Sequence, residues 1–262
     1  MSFTEYNIDD KAKDNKLNLA RDLRELRRNT NKIKNELIKD FRVYYTTLPE
    51  RALYPFDYQY AEIFYNLLRR KGLLCPIYHH LYIVVEKTME DCLLRSVPYD
   101  DRYVNGLSII DYNSYLNQTD VEKEQTVFSV IVAGLKDIAD IDKLDTTIID
   151  QTIAEIKIKG LDTELEHSTI DNEKYRLAVT YFSKSLEDGC PLYLNLFEKS
   201  SKKSNRIHIG IATKDQIYYW INSITITNKS IKIKSRSSAI ADAYLKDKPR
   251  SLEFNIKEII NG

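Results

Sequence analysis

Glycine and proline are scarce in this chain, at 7 and 6 of 262 residues. That argues against a collagen-like segment, a turn-rich repeat or a glycine-rich loop protein. Nucleotide-binding loops go with them. There is no G-x-x-x-x-G-K-[ST] segment and no G-x-G-x-x-G after a strand, so few backbone sites can approach a pyrophosphate closely. Cysteine is limited to Cys75, Cys92 and Cys190, an odd number with no regular spacing and a poor disulfide framework. Apolar runs are far shorter than the roughly 18 residues a membrane-spanning helix needs. The first residues, Met1-Ser2-Phe3-Thr4-Glu5-Tyr6, carry no apolar signal-peptide core. The expectation is a cytoplasmic chain with reduced thiols and no membrane contact. Net charge is zero, which removes any global attraction to nucleic acid or anionic lipid.

Catalytic constellations are missing too. The one local cluster of good metal ligands is Cys75, His79 and His80. A structural zinc site needs four ligands, usually as two short-spaced pairs, and His167, Cys190 and His208 are scattered. His79 and His80 stand at a strand entrance, where neighbouring side chains point to opposite faces. Cys75 and Cys190 each precede a proline at a strand entrance, and a buried structural thiol is the better reading for both. G-x-S-x-G is absent. The aspartates 137, 140, 142 and 145 lack the Gly and Glu positions of an EF-hand loop. Catalytic residues, cofactor and metal are therefore all expected to be none.

What is present is an ordinary globular composition, 43% hydrophobic. Leu19, Leu23, Leu26, Ile33 and Leu37 form an a/d-like stripe that predicts a helix over residues 16–38, packed on its own domain or paired in a short coiled coil. Residues 41–46 read as a strand, 56–71 as a helix with Phe56, Tyr60, Ile63, Phe64 and Leu67 on one face, and 80–85 as a second strand. Together they suggest a βαβ-like unit. The stretch 86–102 is polar and unassigned, and residues 103–110 read as a strand. Thr119-Asp120-Val121-Glu122 is a capping box that starts a helix with Val127, Ile131, Leu135 and Ile138 buried. A further helix spans 146–159, capped by Asp145 and stopped by Gly160, with Ile149, Ile153 and Ile156 as its stripe. Beyond Thr163 the period falls to two. Strands are predicted over 163–169, 174–182, 191–197, 206–211, 223–227, 230–235 and 251–256, and residues 214–221 form a helix or a strand. The class is α+β: a mainly helical part over 1–160 and an antiparallel β-rich part over 161–262, with no linker between them.

Zero net charge hides blocks. Residues 11–42 hold eleven basic and five acidic side chains, 86–173 hold twenty acidic and eight basic, and 199–236 hold nine basic and one acidic. The blocks either complement one another internally or serve as docking surfaces. In the second case the acidic helices would steer a basic partner, with Asp137, Asp140, Asp142 and Asp145 as partner-binding residues. The basic block, with Tyr218, Tyr219 and Trp220 nearby, offers an alternative nucleic-acid surface, which the acidic block in the same chain opposes. Nineteen tyrosines suit half-exposed surfaces and protein interfaces, or the rims of a β-rich core.

Residues 48–82, with Leu53-Tyr54-Pro55-Phe56 and Cys75-Pro76-Ile77-Tyr78-His79-His80, resemble the immunity proteins of bacterial polymorphic-toxin and interbacterial-competition systems. The acidic segment and the absent catalytic motif resemble that type as well. The resemblance implies a non-enzymatic protein that binds a cognate toxin domain and neutralises it. It carries over no individual residue.

Overall fold

The computed structural model describes residues 10–29, 35–96, 103–184 and 189–261. The chain is α+β and divides into two compact units, residues 1–158 and 159–262. No helix among the described residues is long and apolar enough to cross a membrane.

The first unit contains α1 (Asp10–Arg28), β1 (Glu36–Leu37), β2 (Asp40–Tyr44), α2 (Phe56–Arg70), β3 (Leu74–Cys75), β4 (His80–Glu86), α3 (Met89–Arg95), β5 (Tyr103–Ile109), α4 (Tyr112–Leu116), α5 (Asp120–Asp142) and α6 (Thr146–Lys159). Strands β2, β4 and β5 form a parallel sheet in that order, with Phe41 opposite Leu81 and Leu81 opposite Val104. The βαβ expectation thus extends to a third parallel strand. Strands β1 and β3 pair separately and antiparallel. The capping box at Thr119 forms as expected, with Glu122 accepting from the Thr119 amide at 2.8 Å. Val127, Ile131, Leu135 and Ile138 are all buried. Helix α5 lies so close to the sheet that only glycine fits at the contact. A Cβ on Gly106 would stand 2.0 Å from the Gly134 carbonyl oxygen, and one on Gly134 would stand 2.4 Å from Ile83.

Helix α1 departs from its predicted length and face. It ends at Arg28, and Leu37 belongs to β1. Ile33 lies outside the described residues. Leu19 and Leu26 point outward, 50% and 67% exposed, while Leu17, Ala20 and Arg27 are buried. The reason is electrostatic. Arg24 and Arg27 find carboxylates on α5, and with that face turned inward Leu19 and Leu26 meet solvent while Leu23 is half-buried. Between 86 and 102, residues Met89–Arg95 form α3, capped by Thr88, and residues 97–102 lie outside the described set.

The second unit opens with a 3₁₀ turn (Gly160–Asp162). Strands β6 (Glu164–Asp171), β7 (Tyr175–Phe182), β8 (Cys190–Glu198) and β9 (Lys203–Ala212) then form a four-stranded antiparallel meander. Its buried face carries Leu165, Leu177, Val179, Leu192, Leu194 and Leu196. After α7 (Lys214–Trp220), strands β10 (Ser223–Ile226), β11 (Ser230–Lys234) and β12 (Ser251–Asn255) make a second antiparallel sheet, with α8 (Ala239–Tyr244) before β12 and α9 (Ile256–Asn261) after it. The predicted hairpin has Ile224 opposite Ile233 and Ile226 opposite Ile231. Residues 214–220 resolve as helix because Thr213 and Gln216 form a second capping box. Helices α8 and α9 were not foreseen.

Candidate partner-binding site

The four aspartates expected to dock a partner are each engaged within the first unit. Strand β5 is an edge strand, and its outer side presents the backbone of Asn105 and Leu107. Arg24 of α1 donates to the Asn105 carbonyl at 3.2 Å, and the Leu107 amide donates to Asp137 at 2.7 Å. Arg24 also meets both oxygens of Asp137 at 2.6 Å. This pair therefore occupies the hydrogen-bonding positions of a neighbouring strand, which guards the edge against pairing with another chain. Asp142 is 3% exposed and sits 3.4 Å from Arg27, whose guanidinium also lies 5.0 Å from the centre of the Tyr78 ring. Burial pushes the Asp142 carboxyl up and the Arg27 guanidinium down from their ordinary values. Asp142 Oδ2 and Arg27 Nε have no hydrogen-bond partner. Asp140 is an exposed partner of Arg28 at 2.9 Å. Asp145 caps α6 by accepting from the Thr147 and Ile148 amides at 2.9 and 3.4 Å. The basic N-terminal block and part of the acidic middle thus neutralise each other.

The Cys75, His79 and His80 side chains are engaged separately. Cys75 is fully buried, and burial pushes its thiol up to about 12. His79 and His80 do not alternate as expected. Their rings stand 4.6 Å apart, because His79 occupies a bend just before β4 begins. His79 leans on Glu36 at 3.4 Å and His80 on the Tyr82 hydroxyl at 3.3 Å. Among the described residues no three of His, Cys, Asp or Glu converge on a metal position.

At the carboxyl ends of the parallel strands, where α/β sheets commonly place ligands, the chemistry is also internal. Glu86 is fully buried, and its carboxylate accepts from the Thr46 and Thr47 amides at 2.7 and 2.9 Å and from both hydroxyls. A groove of about 670 Å³ beside Ile109 is flanked by Asp111 and Glu122. Those two carboxylates are committed as helix caps, Asp111 to the Ser114 amide and Glu122 to the Thr119 amide.

A second surface of exposed aromatic and apolar side chains lies in the second unit, on α7 and α8. Helix α7 is anchored by Ile217 and Trp220, three residues apart and both buried. The indole lies against Gly210, where a Cβ would stand 2.7 Å from the ring, and donates to the Pro249 carbonyl at 2.9 Å. With that face fixed, Tyr218 turns outward, 50% exposed, beside Tyr219. Helix α8 behaves likewise. Ser238 caps it, Ala241 and Leu245 are buried, and Ile240 and Tyr244 face out at 59% and 43% exposure. Gln216 ties the two helices by donating to the Tyr244 carbonyl at 3.2 Å. Tyr219 stacks on Tyr244 with ring centres 5.1 Å apart and planes 18° apart. Arg236 completes the row, its guanidinium 4.0 Å from the centre of the Tyr218 ring.

Tyr218, Tyr219 and Arg236 fall within or beside the basic block read from the sequence. Ile240 and Tyr244 were missed. The available signal was Ser238 as an N-cap ahead of Ala-Ile-Ala-Asp-Ala-Tyr. Elsewhere the basic block is partly spent on its own unit: Lys199 pairs with Asp171 at 2.5 Å, Arg206 with Glu164 at 3.2 Å and Lys232 with Glu253 at 3.4 Å. No known protein family, characterised protein or solved structure matches this chain.

Proposed function

We propose that this chain is a non-enzymatic protein-binding protein, most concretely a cytoplasmic immunity protein that binds a cognate bacterial toxin domain and neutralises it. The observation that carries the reading is the contiguous row Arg236, Tyr218, Tyr219 and Tyr244 with exposed Ile240 beside it. Tyrosine and arginine dominate interface hot spots because each covers a large apolar area and ends in a polar group. The three buried free cysteines suit a reducing compartment. The reading favours α7 and α8 as the docking surface; Asp137, Asp140, Asp142 and Asp145 hold α1 or cap α6, and whether they also meet a partner is left to the titration.

The test is calorimetric titration of the full chain with a candidate toxin domain, taken from a neighbouring reading frame if one encodes it, alongside rescue of growth in a host that expresses that domain. Tight binding and rescue by the natural chain are expected. Each of Tyr218→Ala and Tyr244→Ala should weaken binding by about 2 kcal/mol, roughly 30-fold. No binding by the natural chain overturns the reading. Salt-sensitive binding of oligo-dT or oligo-U, lost in Tyr218→Ala, would replace it with a nucleic-acid role.

A further inference from the structure

We infer that the partner presents a carboxylate to Arg236, so that the surface docked on α7 and α8 is an acidic side chain set beside an apolar one. This rests on the protein-binding reading above and reverses the charge expected of the partner from the acidic helices. Arg236 is held at both ends. Its amide donates to the Tyr219 carbonyl at 2.8 Å, and its guanidinium lies over Tyr218 at 4.0 Å. Yet the guanidinium meets no carboxylate among the described residues, and its Nε is shielded from solvent without an acceptor. Two nearby cations are paired. The carboxylate of α8, Asp242, is taken by Arg250 at 2.6 Å, and Lys232 is paired with Glu253 at 3.4 Å.

The shielded Nε is out of a partner's reach, so the carboxylate is asked to meet the two terminal nitrogens of the guanidinium. An arginine already clamped on a ring has lost much of its rotamer freedom, and its planar fork matches a carboxylate with two parallel hydrogen bonds. A phosphate would satisfy the same fork. However, nucleic acid also needs open ring faces for its bases. Here Arg236 covers a face of Tyr218, and Tyr219 and Tyr244 cover one another. The exposed Ile240 and the ring edges favour an aliphatic or aromatic side chain instead.

A random peptide library displayed on phage, panned on the immobilised full chain with counter-selection on the bare support only, tests this. Enriched peptides are titrated by fluorescence polarisation against the natural chain, Arg236→Ala, Arg236→Lys and Tyr244→Ala, with thermal melts to confirm folding. The expected peptides carry Asp or Glu next to an apolar residue. They should lose about tenfold or more on Arg236→Ala, an equal factor when their own acid is changed to its amide, and part of it on Arg236→Lys, which keeps the charge but not the fork. Peptides that depend on Tyr244 but lack an acid and ignore Arg236 overturn the carboxylate while leaving the docking surface in place. Peptides indifferent to both residues overturn the two together. Arg236-dependent binding of oligo-dT overturns the inference in favour of phosphate.

Discussion

At the scale of single residues, the first unit holds charges that burial makes uncomfortable. Asp57, in the first turn of α2, accepts from the Tyr45 hydroxyl at 3.2 Å, while its Oδ1 is buried without a partner. Burial pushes its carboxyl above the usual range, against smaller downward pulls from the Tyr58 amide and Tyr45. The native state therefore holds the Asp57 proton more tightly than the unfolded state, where the carboxyl titrates near 4. Its stabilising contribution is full below that value and is lost as pH rises through the native one. Urea unfolding at pH 4 and pH 7 checks this: the natural chain should lose stability relative to Asp57→Asn between the two. A difference that does not change with pH, or that changes the other way, refutes it. Nothing in the local sequence marks Asp57 for this role. Acidic residues in a first helical turn are ordinarily favoured as charges, and only the packing around α2 reverses that.

At the scale of elements, the Arg24–Asp137 pair explains why α1 sits where it does. It joins α1 and α5 across the outer side of β5 and satisfies Asn105 and Leu107 together. Asp137→Ala strands a half-buried guanidinium and an edge amide at once. The expected loss is about 3 kcal/mol in urea unfolding of the first unit. The exposed strand edge should also drive concentration-dependent association in sedimentation velocity. An unchanged midpoint with a monomer at all concentrations would falsify the edge-guard role. The periodic leucines Leu19, Leu23 and Leu26 gave a fair helix prediction, but of the three only Leu23 is even half-buried. Periodicity registers apolar spacing, whereas two arginines with partners 113 and 115 residues away decided the rotation.

At the scale of the whole molecule, the three thiols divide between the two units, Cys75 and Cys92 in the first and Cys190 in the second. Burial pushes them up to about 12, 11 and 11, which leaves very little thiolate near neutral pH. The native chain should resist iodoacetamide at pH 8 and take up label only as denaturant opens each unit, with mass-spectrometric mapping giving a midpoint for each. Rapid stoichiometric labelling of the native chain would contradict it. The sequence by itself determined the α+β class, the βαβ segment, the capped helices at Thr119 and Asp145, and the strands of the antiparallel sheets. All of these follow from periodicity and caps, whose information lies within a few residues. Tertiary structure alone decided which charges pair and which side chains meet on α7 and α8. The ion pairs that occupy Asp137, Asp140 and Asp142, and the stacking of Tyr219 on Tyr244, 25 positions apart, depend on chain segments that meet only after folding. The row on α7 and α8 is likewise built from side chains that no local pattern gathers.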